Sequence, residues 1–260
     1  MKTLYANGDS FVFGMECIQD FNQDESNKEF AFAKHIASGL NCETYINNAY
    51  NGATNEFIFR TTIFDLLESE QNGIHPSDVF VVIGWTSLHR FEIDGKAWYQ
   101  KHVPGIDPLT AILDIDQRIE YMDYGTLFVN PAHHTTLSKD KTIFSTEQDV
   151  VPFCVDYIWH DRIQNAQHEA RLIALHGFLK SKGYKHVFIN TCGNYQFKIM
   201  DNSIPNFYKL STESFYDWGK TNYADEFRKN NHFSPIPHTA YGNLLLDYIV
   251  KNIVHCDSEL

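Results

Sequence analysis

The stretch Thr3-Leu4-Tyr5-Ala6-Asn7-Gly8-Asp9-Ser10-Phe11-Val12-Phe13-Gly14 decides how the rest of the chain is read. Its apolar run from Thr3 to Ala6 stops at Asn7-Gly8-Asp9-Ser10, the pattern of a buried strand ending in a tight turn. In open α/β sheets, ligands lie in the crevice beyond the carboxyl ends of the strands. Ser10 is therefore expected at a pocket, where its hydroxyl becomes a nucleophile only if a base can reach it. Gly-Asp-Ser is also an ordinary turn sequence, so the serine needs a partner elsewhere in the chain.

Downstream, the pattern alternates between helix and strand. Ser26 and Glu29 form a capping-box signature ahead of Phe30, Ala33, Ala37 and Leu40, with Gly39 near the helix end. A short strand is expected over Glu43–Ile46, then a polar turn from Asn47 to Asn55, then a helix marked by Phe59, Ile63 and Leu66. Val79-Phe80-Val81-Val82-Ile83, closed by Gly84, reads as a central strand buried on both faces. A long helix begins near Asp156, with Ile163, Ala166, Ala170 and Ile173 as its apolar face and His160, His168 and His176 as a polar one. His186–Asn190 is a further strand, and Tyr241, Leu245, Ile249 and Ile253 mark a last helix from about His238. Two stretches break this regularity. Residues 85–153 carry Phe91, Trp98, Tyr99, Tyr121, Tyr124 and Phe128, and residues 192–231 carry Phe207, Tyr208, Phe215, Tyr216 and Trp218. Irregular segments this long are usually functional or misassigned, so the first is read as a lid or insertion. The expected architecture is a three-layer α/β/α sandwich on a parallel sheet, one domain over 1–260 with insertions near 85–153 and 192–231.

Composition narrows the function classes. A chain of 260 residues, 43% hydrophobic and 15% aromatic, can bury a full core. A formal charge of -12 argues against a nucleic-acid surface, which wants clustered Lys and Arg. Cys17, Cys42, Cys154, Cys192 and Cys256 are scattered without a CxxC pair, so neither a zinc ribbon nor a redox motif is expected. The adjacent His133 and His134 point apart and lack a third ligand at metal spacing, so no metal is expected. No phosphate-loop or dinucleotide fingerprint occurs, and no cofactor is expected. The N-terminus reaches a turn by Asn7, too soon for a signal-peptide core, and no apolar run approaches the ~20 residues of a membrane span. The expectation is a soluble protein synthesised in the cytoplasm.

The partner for Ser10 lies at the far end, in Asn230-Asn231-His232-Phe233-Ser234-Pro235, just before the final helix. A histidine in that position is a candidate base for a serine after the first strand. Together, Gly8-Asp9-Ser10-Phe11, Asn51-Gly52-Ala53-Thr54-Asn55 and His232-Phe233-Ser234-Pro235 resemble the blocks of the SGNH or GDSL hydrolase superfamily. The resemblance runs over nearly the whole chain and implies a flavodoxin-like sheet and a carboxylic ester hydrolase. It implies Ser10 as nucleophile, His232 as general base, and Gly52 with Ser10 as backbone oxyanion donors. Gly52 suits that role physically, because it has no side chain and precedes a helix start. Asn55 orients this loop or meets substrate.

Two positions depart from the family pattern. The third block, Gly-x-Asn-Asp in the family, is Gly84-Trp85-Thr86-Ser87 here, leaving Thr86 as a shorter candidate donor and Arg90 as a substitute or substrate contact. The aspartate usual two or three residues before the histidine is replaced by Asn230 and Lys229. Asn230, Asp225 or a backbone carbonyl is left to orient the ring. The variant blocks resemble phage-encoded members, which implies a glycan ester as substrate, such as an O-acetyl sugar, and a virion-associated setting. Two rivals follow from the departures: a glycan-binding module without activity, and an acyltransferase using the same residues.

Overall fold

The computed structural model describes residues 1–18, 24–88, 90–94, 126–129, 161–192, 214–229 and 231–254. Chain contacts divide it into two units, Met1–Leu88 with Trp159–Leu260, and His89–Ile158. In the second unit, β4 (Phe91–Asp94) and β5 (Thr126–Val129) pair antiparallel, with Phe91 opposite Val129.

The first unit is built on four parallel strands, β1 (Thr3–Asn7), β2 (Thr44–Asn47), β3 (Val79–Trp85) and β6 (Lys185–Asn190), in the order β2-β1-β3-β6. The first three stand in the 2-1-3 order of flavodoxin-like sheets. Every residue of β1 and β3 is buried, as expected for strands covered on both faces. Side chains alternate between the faces. Leu4, Ala6, Phe80, Val82, Val187 and Ile189 join a core with α1 (Ser10–Phe13), α2 (Phe32–Gly39), α5 (Phe215–Asn222) and α6 (Pro235–Ile249). Tyr5, Asn7, Trp85 and His186 point the other way, toward α3 (Asn55–Gln71) and α4 (Asp161–Lys182). This is the three-layer α/β/α sandwich that the strand and helix pattern implies.

Several local readings change. Ser26 does not cap a helix. Asp24 does, accepting from the Ser26 N–H at 2.9 Å ahead of a 3₁₀ segment, Glu25–Phe30, and α2 starts only at Phe32. β3 runs through Gly84 to Trp85, and Gly84 and Gly8 both lie where any Cβ would run into the Val12 side chain. Those two glycines let α1 sit directly on the ends of β1 and β3. α4 turns a different stripe inward. His168, Leu172, Leu175 and Leu179 are buried, whereas Ile163 and Ile173 face solvent. His168 thus packs edge-on to Trp85 at 5.2 Å, and His176 hydrogen-bonds His186 at 2.8 Å, so these histidines are not a solvated face. The last helix starts at Pro235 rather than His238, capped by Ser234. Trp98, Tyr99, Tyr121, Tyr124, His133, His134, His160, Phe207, Tyr208 and Asn230 lie outside the described residues.

Candidate active site

The loops that leave the carboxyl ends of β1, β2 and β3 are tied together. Asn7 Oδ1 accepts from the Gly8 N–H, while Asn7 Nδ2 donates to Thr61 and Thr62 of α3 at 2.9 and 3.0 Å. Asp9 caps α1, accepting from the Phe11 N–H at 3.1 Å, so Ser10 becomes the first helical residue. Asn47 Nδ2 donates to the Val12 carbonyl, and the Asn48 and Tyr50 N–H groups donate to the Ala6 and Gly8 carbonyls. The β2 loop is therefore drawn across the mouth of the Ser10 turn. Thr54 caps α3 by accepting from the Phe57 N–H, just after Gly52. Because β2 and β3 lie on opposite sides of β1, the Ser10 turn sits at the sheet's switch point, where ligands enter such folds.

Ser10 is 2% exposed and lies at the amino end of α1. Gly52 holds a left-handed backbone, φ +79, and a Cβ built there would meet nothing within 4 Å. Asn55 and Thr86 are occupied with each other. The Asn55 amide donates to the Thr86 carbonyl at 3.0 Å and its oxygen accepts from the Thr86 N–H at 2.9 Å. The Thr86 hydroxyl gives its proton to Asp9 Oδ2 at 2.7 Å. Both Thr86 donors are thus committed to the scaffold, and the pair clasps α3 and β3 to the α1 cap. Arg90 belongs to the second unit, directly ahead of β4.

His232 sits in a tight return of the chain. Phe227 bridges Phe233, the Arg228 N–H donates to the His232 carbonyl at 2.7 Å, and Ser234 caps α6 while donating its hydroxyl to Glu226. Phe233 is fully buried in the aromatic core, which anchors the backbone beside His232. That ring lies 5.1 Å from Phe11, the residue after Ser10. His232 and the Ser10 turn are therefore brought to the same end of the sheet.

The acid beside the histidine is a residue that the sequence reading missed. Glu16 Oε2 is 3.2 Å from His232 Nδ1, and the Glu16 side chain is 0% exposed. Asp225 is exposed in a 3₁₀ turn. Gly14 ends α1 in the left-handed region, and Glu16 follows there too, at φ +63. A non-glycine residue pays about 1–2 kcal/mol for that conformation. Glu16 stands six positions after Ser10, just beyond the glycine that ends the serine's short helix, but no local spacing joins it to His232.

Two neighbouring groups are poorly suited to the chemistry. Burial pushes the Cys17 thiol up to about 12, only partly opposed by Arg228, so it stays protonated. His238 is fully buried and held down to about 3 by desolvation, with Nδ1 accepting from the Phe32 N–H. Among the described residues no group of three or more His, Cys, Asp or Glu is arranged to hold a metal. Among them, too, no helix is long and apolar enough to cross a membrane.

A family model matches residues 15–148, just over half the chain, from Glu16 through Gly52, Thr86 and Arg90. The chain belongs to DUF6071, a family of unknown function. The span matched by the DUF6071 model includes neither Ser10 nor His232. No curated protein matches the chain. Among solved structures it is similar to a protein of the G-D-S-L family, described as lipolytic, from Desulfitobacterium hafniense DCB-2. The two are 12% identical over 95% of this chain and 99% of that one, with a TM-score of 0.47. It is similar also to a carbohydrate esterase whose active site displays divergent catalytic and non-catalytic binding functions, at 13% identity, 96% and 68% coverage and a TM-score of 0.44. A carbohydrate esterase family 2 enzyme with a carbohydrate-binding domain, from Corynascus thermopiles (Myceliophthora fergusii), gives 10% identity, 96% and 66% coverage and a TM-score of 0.35. At such identities the likeness brings no residue roles to the DUF6071 chain.

Proposed function

We propose that the protein is a serine esterase of SGNH type that cleaves an acyl ester, with an O-acetylated carbohydrate as the substrate class. The observation that carries the reading is the meeting of the Ser10 turn and the His232 ring, through Phe11, at the sheet's switch point. In this mechanism Ser10 Oγ attacks the acyl carbonyl while His232 takes its proton. The N–H groups of Ser10 and Gly52 receive the oxyanion, and both stand on turns whose backbones are fixed by the bonds described above. His232 then returns the proton to the leaving alcohol, and an acyl-serine forms. Water, deprotonated by the same imidazole, attacks that ester, and collapse of the second tetrahedral intermediate frees the acid and Ser10. Tyr216, 5.8 Å from Phe11 and half-buried, supplies an aromatic flank of the kind that sugars stack on.

One observation favours a second reading, a glycan-binding module on the same scaffold. Thr86, at the position of the family's side-chain oxyanion donor, has both its donors committed to Asn55 and Asp9. Losing one oxyanion donor typically costs about 2.7–4 kcal/mol in the transition state, so a two-donor hole would be slow.

The test is labelling by a fluorophosphonate probe, with p-nitrophenyl acetate turnover run in parallel. The expected outcome is labelling and turnover in the wild type and neither in Ser10→Ala. A folded wild-type protein that does not react while binding acetylated glycan would establish the second reading instead.

A further inference from the structure

We infer that Glu16 is the positioning carboxylate of the site: it replaces the aspartate that the chain lacks before His232 and fixes which ring nitrogen carries the proton. The inference rests on the esterase reading and goes beyond it, because nothing in that reading says what holds the imidazole.

Three observations converge on Glu16. Its carboxylate is wholly buried, yet it lies 3.2 Å from an imidazole nitrogen, and burying a carboxylate is tolerated when it is paired and hydrogen-bonded. Its backbone is left-handed although it is not glycine, and strain of that kind persists only where the surroundings over-determine it. The strain has a local origin. α1 ends at Gly14, the Met15 N–H returns to the Ser10 carbonyl at 2.9 Å, and the Cys17 N–H returns to the Gly14 carbonyl at 3.1 Å. This winding brings position 16 back beneath the helix that carries Ser10. The nucleophile and the acid thus come from one continuous turn of chain, and only the base arrives from the other end of the sequence.

The geometry also selects the atom. Glu16 faces Nδ1, so a carboxylate there stabilises the tautomer with hydrogen on Nδ1 and leaves the Nε2 lone pair to accept the serine proton. It stabilises the imidazolium that forms next. Glutamine at position 16 keeps the volume and the backbone, but its amide can donate to Nδ1, which forces the hydrogen onto Nε2 and removes the base.

The experiment compares Glu16→Gln, Glu16→Asp and Asp225→Asn in the full chain. Glu16→Gln is expected to lose on the order of 10⁴-fold in kcat on p-nitrophenyl acetate with KM little changed, as when a triad loses its carboxylate. Glu16→Asp recovers most of the loss, and Asp225→Asn matches the wild type. The ¹⁵N shifts of the His232 ring supply a readout independent of turnover. They are expected to report hydrogen on Nδ1 in the wild type and in Ser10→Ala, and on Nε2 in Glu16→Gln. Wild-type kcat in folded Glu16→Gln, or an unchanged tautomer, would overturn the assignment. If the wild type hydrolyses no ester, the esterase reading fails, and the tautomer measurement alone decides whether Glu16 sets the ring.

Discussion

On one face of the sheet Phe80 and Val82 meet a layer of rings, in which Phe32, Phe215, Phe233 and Tyr241 pack at centroid separations from 4.5 to 5.4 Å. On the other face Tyr5 donates to Asp65, Asn7 holds Thr61 and Thr62, and Trp85 and His186 meet the α4 histidines His168 and His176. The first face is filled mainly by hydrocarbon, with His238 and the Glu16 carboxylate buried among the rings. The second depends on buried polar groups finding partners. Ser10, Glu16 and His232 all belong to the ring-packed side, through α1 and the entry to α6. Two buried histidines, His168 and His186, lie on the polar side against one, His238, on the ring-packed side, so the polar layer is where protons should act most on stability.

The largest effect that would break this division is acid unfolding. Burial holds His186 down to about 4 and His168 down to about 3, both on the polar side, and His238 to about 3 on the other. Each is neutral when folded and takes up a proton near pH 6.5 when unfolded. The depressed folded values mean that their stabilising contribution is fully present above pH 6.5 and is lost as pH falls toward 3. Chemical unfolding at a series of pH values should show stability declining across that window by several kcal/mol. Because carboxylates add to the decline, the discriminating comparison is the slope. His168→Leu should flatten it whatever its effect at neutral pH, and an unchanged slope would mean that the polar face does not carry the titration.

Next in size is Phe233→Ala. This ring is fully buried, lies 5.4 Å from Phe215 and 5.0 Å from Phe227, and fills the space that keeps position 219 glycine. Truncating such a residue typically costs about 3–5 kcal/mol. It should also loosen His232, its chain neighbour, so turnover should fall at temperatures where the variant is still folded. A loss under about 1 kcal/mol would show that the ring layer re-packs and that the two faces differ less than their chemistry suggests.

Sequence was informative wherever one element carried its own signal. The end of β1 at Asn7, the buried run of β3 and the helix start after Gly52 each depend on residues within a few positions of one another. The phase of α4 was less accessible. The stripe Ile163–Ile173 and the stripe His168–Leu179 share the same period, and only the sheet decides which turns inward. Ser26 lost its cap to Asp24 because the segment starts two residues earlier, with the Asp24 carboxylate accepting from the Ser26 N–H. The strand order and the Glu16–His232 contact were beyond local reading altogether. They join residues far apart in sequence, and no spacing rule connects position 16 to position 232. At the site, therefore, the candidate residues Ser10, His232 and Gly52 could be named from motifs, whereas the nearness of Glu16 to His232 became visible only when the chain was folded.

The smallest effect sharpens the comparison from outside. The polar side leaves Phe64 on α3 62% exposed and Ile173 on α4 50% exposed, while Arg171 and Glu56 form an ion pair at 2.7 Å between the same two helices. If solvent covers this outer surface, Phe64→Ser and Ile173→Thr should each shift stability by no more than about 0.5 kcal/mol, as surface changes usually do. An exposed apolar side chain standing alone is ordinary, so a null result fits an outer layer that contributes little beyond its inward stripe. A loss above about 1 kcal/mol in either variant would mean that these side chains are covered in solution. The polar layer would then owe part of its stability to apolar contact on its outer side, and the contrast between the faces would lie in where hydrocarbon is buried rather than in how much.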